Sequence, residues 1–271
     1  MRVVMVGVDG SPGAQVAVRY AVEFAHLLEG GVRAIAIAPR GAQEEPEPDE
    51  RSLEKAVAQE AVAAAAADWF ARALAGCAEA CAATEVEYDQ VTLVGAPAHI
   101  LTQQAESADL VVVGAHGRTN DPSVLLGGTT RALLRSCIKP MLIARAEYRP
   151  VSRALVGYDG SPTSGHAVAT VADLAAAAGW QVCLVTGAPD RSELAEGVHR
   201  AAKLVRARGV EPEVRVLEGD GPSLVFDAAQ DFKADLVAIG GPLRGTLSAF
   251  FFGESWPDIV EQARVPVLLW R

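Results

Sequence analysis

The chain has 271 residues, half of them hydrophobic and 21% charged, with a formal net charge of −10. That length fits two compact domains, each with enough apolar mass for a core. No apolar run reaches membrane-spanning length, and an acidic chain without a basic stripe argues against nucleic-acid or anionic-membrane partners.

The chain opens on MRVVMVGVDG, which lacks a long apolar leader and reads instead as a first strand, Val3 to Val8. A nearly continuous apolar run of this kind suits a strand buried on both faces of a parallel sheet. Ser11 is placed to cap the following helix, with Pro12 at its first position. Val16, Tyr20, Phe24 and Leu27 recur at helical spacing, and Gly30-Gly31 ends the helix. Val32 to Ala38 is a second strand. Arg40 to Arg51, rich in Glu, Asp and Pro, is expected to be a solvated loop, with a lid over the first site as the alternative. An Ala-rich helical stretch follows from about Ser52 to Ala75. A third strand lies within Glu85 to Leu93, and Ile100, Leu101, Gln104 and Ala105 give the next helix its inner face. Asp109 to Gly114 is a fourth strand, Thr129 to Cys137 a last helix and Met141 to Ala144 a last strand.

The same order then repeats. VGVDGSP at Val6 to Pro12 returns as VGYDGSP at Val156 to Pro162. ADLVVVG at Ala108 returns as ADLVAIG at Ala234, and KPMLIA at Lys139 as VPVLLW at Val265. Three matched blocks in one order indicate duplication. The first two blocks stand further apart in the first copy, which therefore holds extra chain; the corresponding helix of the second copy, about Ser192 to Arg208, is shorter. The boundary falls near Pro150, giving domains at 1–149 and 150–271. Alternating strands and helices predict, for each copy, an α/β, Rossmann-like, doubly wound five-stranded parallel sheet with helices on both faces.

Ligands bind such sheets beyond the carboxyl ends of the strands, where the winding reverses. In the first copy the loop there reads GAHGRTNDPSVLLGGTTRALL from Gly114. Gly114 and Gly117 allow tight turns and close approach, Gly127 and Gly128 open a helix whose free N–H groups favour an anion, and Thr129 and Thr130 add hydroxyls. This is a sensible cradle for a di- or triphosphate. Asp9 either caps its own turn or contacts ligand. His116, without a visible nucleophile or carboxylate partner, is read as contacting ligand or solvent. Arg118 either reaches a phosphate or lies on the surface. The matching loop of the second copy, from Gly240, carries Leu243 in place of Gly117 and, after Phe250, Phe251 and Phe252, keeps Gly253 in the place of Gly127 but has Glu254 in place of Gly128. A carboxylate at a helix start repels phosphate. That copy is expected to bind no nucleotide, or to bind it weakly, with Asp159 serving its turn.

Two VG(V/Y)DGSP starts, GAHGRT, the later LGG and the terminal (K/V)P strand resemble the universal stress protein family over nearly the whole chain. The resemblance implies ATP binding, with Mg2+ as an optional companion, through Gly114, Gly117 and Gly127 at the family's spacing. Gly128 departs from the usual Ser or Thr, a loss that Thr129 or Thr130 could make good. By the same resemblance Asp9 lies near the adenosine, Gly7 and Ala38 line the base pocket, and the strands Met141 to Ala144 and Val265 to Leu269 pair. The expectation is a cytoplasmic ATP-binding regulatory protein, nucleotide-loaded in the first copy only, with an unidentified protein partner and a homodimer as further options. No base, metal carboxylate pair or arginine finger is assignable, so at most slow ATP hydrolysis is expected. The alternative is a scaffold that binds no nucleotide and acts by dimerisation and docking. A dinucleotide dehydrogenase or phospho-receiver reading lacks the required glycine spacing or acidic pair. Cys77, Cys81, Cys137 and Cys183 are read as small buried side chains in a reducing compartment, not as a zinc site.

Overall fold

The computed structural model describes residues 1–38, 64–118, 126–187, 193–218, 222–241 and 260–271. By the density of its contacts the chain divides into two units, Met1–Arg135 and Ser136–Arg271.

The first unit is a parallel sheet in the order β3-β2-β1-β4, formed by β1 (Val3–Val8), β2 (Gly31–Ala38), β3 (Glu87–Val94) and β4 (Leu110–Gly114). Val4, Met5, Val6, Val111 and Val112 are fully buried, as expected of central strands covered on both faces. The chain leaves β1 towards β2 through α1 (Pro12–Leu27), and reaches β4 from β3 through α4 (Pro97–Ala105). The two crossovers run in opposite directions along the sheet. Right-handed connections therefore put α1 and α4 on opposite faces, and the winding reverses between β1 and β4.

Local chemistry sets the start of α1. Ser11 caps it, its hydroxyl accepting from the Ala14 amide at 3.1 Å, and Pro12 occupies the first turn. Tyr20 and Phe24 are fully buried, whereas Val16 and Leu27, the other two members of the expected stripe, are half-buried. Residues 64–74 form α2, followed by the short α3 (Cys77–Ala82), whose Cys77 and Cys81 face inward. The start of the Ala-rich helix and the acidic loop lie outside the described residues. α5 (Gly128–Ser136) follows the glycine loop.

The second unit has the strand order β5-β10-β9-β6-β7-β8. Here β6 (Arg153–Gly157), β7 (Gln181–Gly187), β8 (Glu213–Leu217) and β9 (Leu236–Gly240) repeat the parallel pattern, with β10 (Val267–Trp270) parallel to β9. Its helices are α6 (Pro162–Ala178), α7 (Glu193–Arg206) and α8 (Pro222–Phe232). β5 (Met141–Ala144), the closing strand of the first repeat, runs antiparallel to β10, with Leu142 opposite Leu268 and Ile143 opposite Val267. The sheets are thus mostly parallel, and β5 and β10, the two last strands expected to pair, do so as an antiparallel pair. All four residues of β5 are buried, so the pair is an apolar seam between the last strands of the two repeats.

Candidate functional site

At the carboxyl ends of β1, β2 and β4 the first unit encloses a cavity of about 560 Å³. That volume lies in the range of small-molecule sites. Gly7, Asp9, Gly114, His116, Gly117, Arg118, Gly127, Gly128, Thr129 and Thr130 all line it. Ten of the eleven residues singled out from sequence are thereby brought together from three separate segments. The eleventh, Ala38, is absent from the lining and 2% exposed. Side chains alternate along a strand, and β2 presents Ile35 and Ile37 to the cavity, so Ala36 and Ala38 point to the other face.

At Gly114 and Gly117 the glycine loop is held by contacts that leave no space for a side chain. A Cβ on Gly117 would lie 2.7 Å from the Asp9 carboxylate, and one on Gly114 would lie 2.8 Å from the Gly13 backbone. Asp9 is fixed from both sides: Oδ1 accepts from the Ser11 amide at 3.0 Å, and Oδ2 from the Arg118 amide at 3.0 Å. Its carboxylate thus ties the turn after β1 to the loop after β4, a larger structural role than capping its own turn. The Arg118 side chain is exposed.

At the other end of the loop the Gly127 amide donates to the Ala115 carbonyl at 2.8 Å, closing the loop on itself. The Thr130 hydroxyl donates to the Gly114 carbonyl at 2.8 Å and is 4% exposed. Thr130 therefore clamps α5 to β4. Thr129, half-buried in the lining, has no hydrogen-bond partner for its hydroxyl among the described residues, so it is the better placed to replace the hydroxyl missing at Gly128. Gly128 is exposed, with open space around its Cβ position. One wall of the cavity is therefore rich in donors at a helix start, which suits an anion. The remainder is apolar: Ile35, Ile37, Trp69, Pro97, Leu101 and Val113. The sequence reading did not assign Ile35, Ile37, Trp69 or Pro97 to the site. The isoleucines were legible from strand alternation. Trp69 was not, because an Ala-rich helix shows no apolar period from which to read its inner face.

Thiol chemistry has little support. All four cysteines are free and buried, and burial pushes the Cys77 and Cys183 thiols up to about 11. Among the described residues no group of three or more His, Cys, Asp or Glu could hold a metal ion, and no helix is long and apolar enough to cross a membrane.

Sheet order, switch-point cavity and glycine loop define a duplicated α/β protein with a glycine-lined cavity at a helix start in its first unit. The chain belongs to the universal stress protein family, whose model matches residues 1–145 and again 150–271. A universal stress protein of Mycobacterium tuberculosis is 36% identical over 142 residues, covering 52% of this chain and 45% of the relative. The match thus spans about half the length of that curated relative. The crystal structure of a universal stress protein from Archaeoglobus fulgidus covers 99% of this chain and 98% of its own, with a TM-score of 0.76 at 15% identity. That likeness is one of fold. A shorter Archaeoglobus fulgidus universal stress protein, solved in complex with dAMP, is 22% identical and covers 45% of this chain and 98% of its own, with a TM-score of 0.36.

Proposed function

We propose that the first unit binds an adenine nucleotide, ATP in the first instance, and that occupancy of this site is what the protein reports to a partner. The observation that carries the reading is the two-part wall of one cavity. Backbone donors and the Thr129 hydroxyl gather at the start of α5, facing the same space as Ile35, Ile37, Pro97 and Leu101. A nucleotide has this polarity, with anionic phosphates at one end and a flat apolar base at the other. Asp9 is the one carboxylate among the described lining residues, and both its oxygens already accept from amides. A Mg2+ ion would accordingly be held by the phosphates and water, as this cation commonly is. The second unit is proposed to be empty of nucleotide, since Leu243 and Glu254 replace Gly117 and Gly128; both replacements lie outside the described residues.

The test is the nucleotide content of the purified protein, by acid extraction and chromatography, with calorimetric titration of ATP. About one ATP or ADP per chain is expected, lost in Gly117→Leu, whose side chain would press on the Asp9 carboxylate. Two equivalents per chain would refute the division between the units. Absence of both nucleotide and titratable heat would leave a scaffold that acts by docking alone.

A further inference from the structure

We propose that Trp69, carried on the Ala-rich helix α2 of the first repeat, is the stacking wall for the base, and that it makes the site select nucleotides over other polyphosphates. The inference rests on the nucleotide reading of the cavity and adds to it a residue outside the glycine motif.

Three features place the indole. First, α2 is seated directly on the turn after β1. Gly10 there has φ +76°, and a Cβ on it would lie 3.5 Å from both Ala73 Cα and the Arg72 carbonyl oxygen. A backbone this close fixes the helix against the strand end from which Gly7, Val8 and Asp9 line the cavity. Second, Trp69 precedes Ala73 by one helical turn, so both lie on the same stripe of α2. Ala73 is 6% exposed, and Trp69, half-buried, continues that stripe into the cavity. Third, the indole is braced: Phe70 meets it edge-on, with ring centroids 5.4 Å apart and planes at 85°. The polar side of the helix is occupied by an ion pair between Asp68 and Arg72, both well exposed.

Among the described lining residues Trp69 is the only Trp, Tyr or Phe. The aliphatic lining fills space against any apolar group, but an indole face adds π-stacking specific to a planar ring. Among the described residues the second unit shows no counterpart: a Cβ on its turn glycine, Gly160, would lie 3.1 Å from the Leu194 side chain, and α7 carries no Trp, Tyr or Phe.

The experiment compares ATP with inorganic tripolyphosphate on the full chain, by calorimetry and tryptophan fluorescence, for wild type, Trp69→Leu and Trp69→Phe. Stacking on one aromatic side chain predicts about a tenfold loss of ATP affinity in Trp69→Leu, most of it recovered in Trp69→Phe. Tripolyphosphate affinity is expected to be the same in all three. In the wild type, ATP and not tripolyphosphate should change the fluorescence, and that change should vanish in both variants, since the other three tryptophans, Trp180, Trp256 and Trp270, lie in the second repeat. Equal ATP affinity in wild type and Trp69→Leu would overturn the stacking role and leave the nucleotide reading standing. Failure of the wild type to bind ATP would overturn both. Should Trp69→Leu fail to fold, a wild-type fluorescence response identical for the two ligands would still overturn the proposal.

Discussion

The two units close the same junction, where the first helix of each repeat meets the end of the strand before the glycine loop, by different chemistry. In the first unit the junction is backbone against backbone. Gly13 sits so close that a Cβ on it would lie 2.5 Å from the His116 carbonyl oxygen, and Asp9 bridges the two segments through the Ser11 and Arg118 amides. In the second unit Thr163 stands where Gly13 stands, and its hydroxyl donates to the Gly241 carbonyl at 2.6 Å. Asp159 accepts from the Ser161 amide at 2.9 Å and from its hydroxyl at 2.5 Å, within its own turn. Yet both units require glycine at the strand end: a Cβ on Gly240 would collide with the Ser164 nitrogen, as one on Gly114 would lie 2.8 Å from Gly13. The lesson concerns which glycines carry function. Gly114 and Gly240 persist because the fold needs them, so their presence says nothing about ligand. The positions that separate the units are Gly13, Gly117 and Gly128, against Thr163, Leu243 and Glu254.

The sharpest way to break that comparison is Gly128→Glu, which gives the first unit the helix-start residue of the second. None of the described residues lies within 4 Å of the Cβ position at Gly128, so they leave room for the side chain. A carboxylate there favours the start of α5 by about 0.3–1 kcal/mol while repelling phosphate. The expected outcome is a loss of ATP affinity beyond about a hundredfold, equivalent to more than about 2.7 kcal/mol, with the melting temperature unchanged or raised. ATP binding at wild-type strength in this variant would mean that the cradle is not where phosphate sits.

A smaller effect, on stability rather than binding alone, is expected from exchanging the junction residues. Gly13→Thr forces a Cβ against the His116 carbonyl and should cost about 1–3 kcal/mol in chemical denaturation. Thr163→Gly removes the hydroxyl that satisfies Gly241 and should cost about 1 kcal/mol or somewhat more. A Gly13→Thr variant as stable as wild type would show that the first junction tolerates the second unit's residue and the comparison is empty.

Much of this architecture could be read from the chain, and the exceptions have physical causes. Ser11 and Pro12 announce the start of α1 because capping is local chemistry, and β1 and β4 announce themselves as unbroken apolar runs. The spacing of Gly114, Gly117 and Gly127 marked the loop that lines the cavity. The direction of β5 does not follow from MLIA itself, which is compatible with a parallel or an antiparallel neighbour; the resemblance implies its pairing with β10, and that pair is antiparallel. The resemblance implies that the end of β2, at Ala38, lines the base pocket, while strand alternation gives that place to Ile35 and Ile37. Trp69 escaped notice because its helix is nearly all alanine, so which face turns inward depends on the Gly10 contact, far away in sequence.

The finest discrimination between the units comes from the paired carboxylates. Asp9 accepts from two amides on different segments, and among the described residues Asp159 accepts only within its own turn. Asn presents one acceptor oxygen in place of two, so Asp9→Asn must leave either the Ser11 or the Arg118 amide facing an NH2 group. Losing one charge-assisted bond is expected to cost about 1–2 kcal/mol of stability and to loosen the loop that carries Gly117. Asp159→Asn keeps a single oxygen able to serve the Ser161 amide and should cost under about 1 kcal/mol. Hydrogen exchange at the Arg118 amide reads the difference directly. Faster exchange in Asp9→Asn, with no change there in Asp159→Asn, is the expected result. An Arg118 amide equally protected in Asp9→Asn and wild type would mean that the loop after β4 is held by its glycine contacts alone, and that the aspartate serves only its own turn in both units.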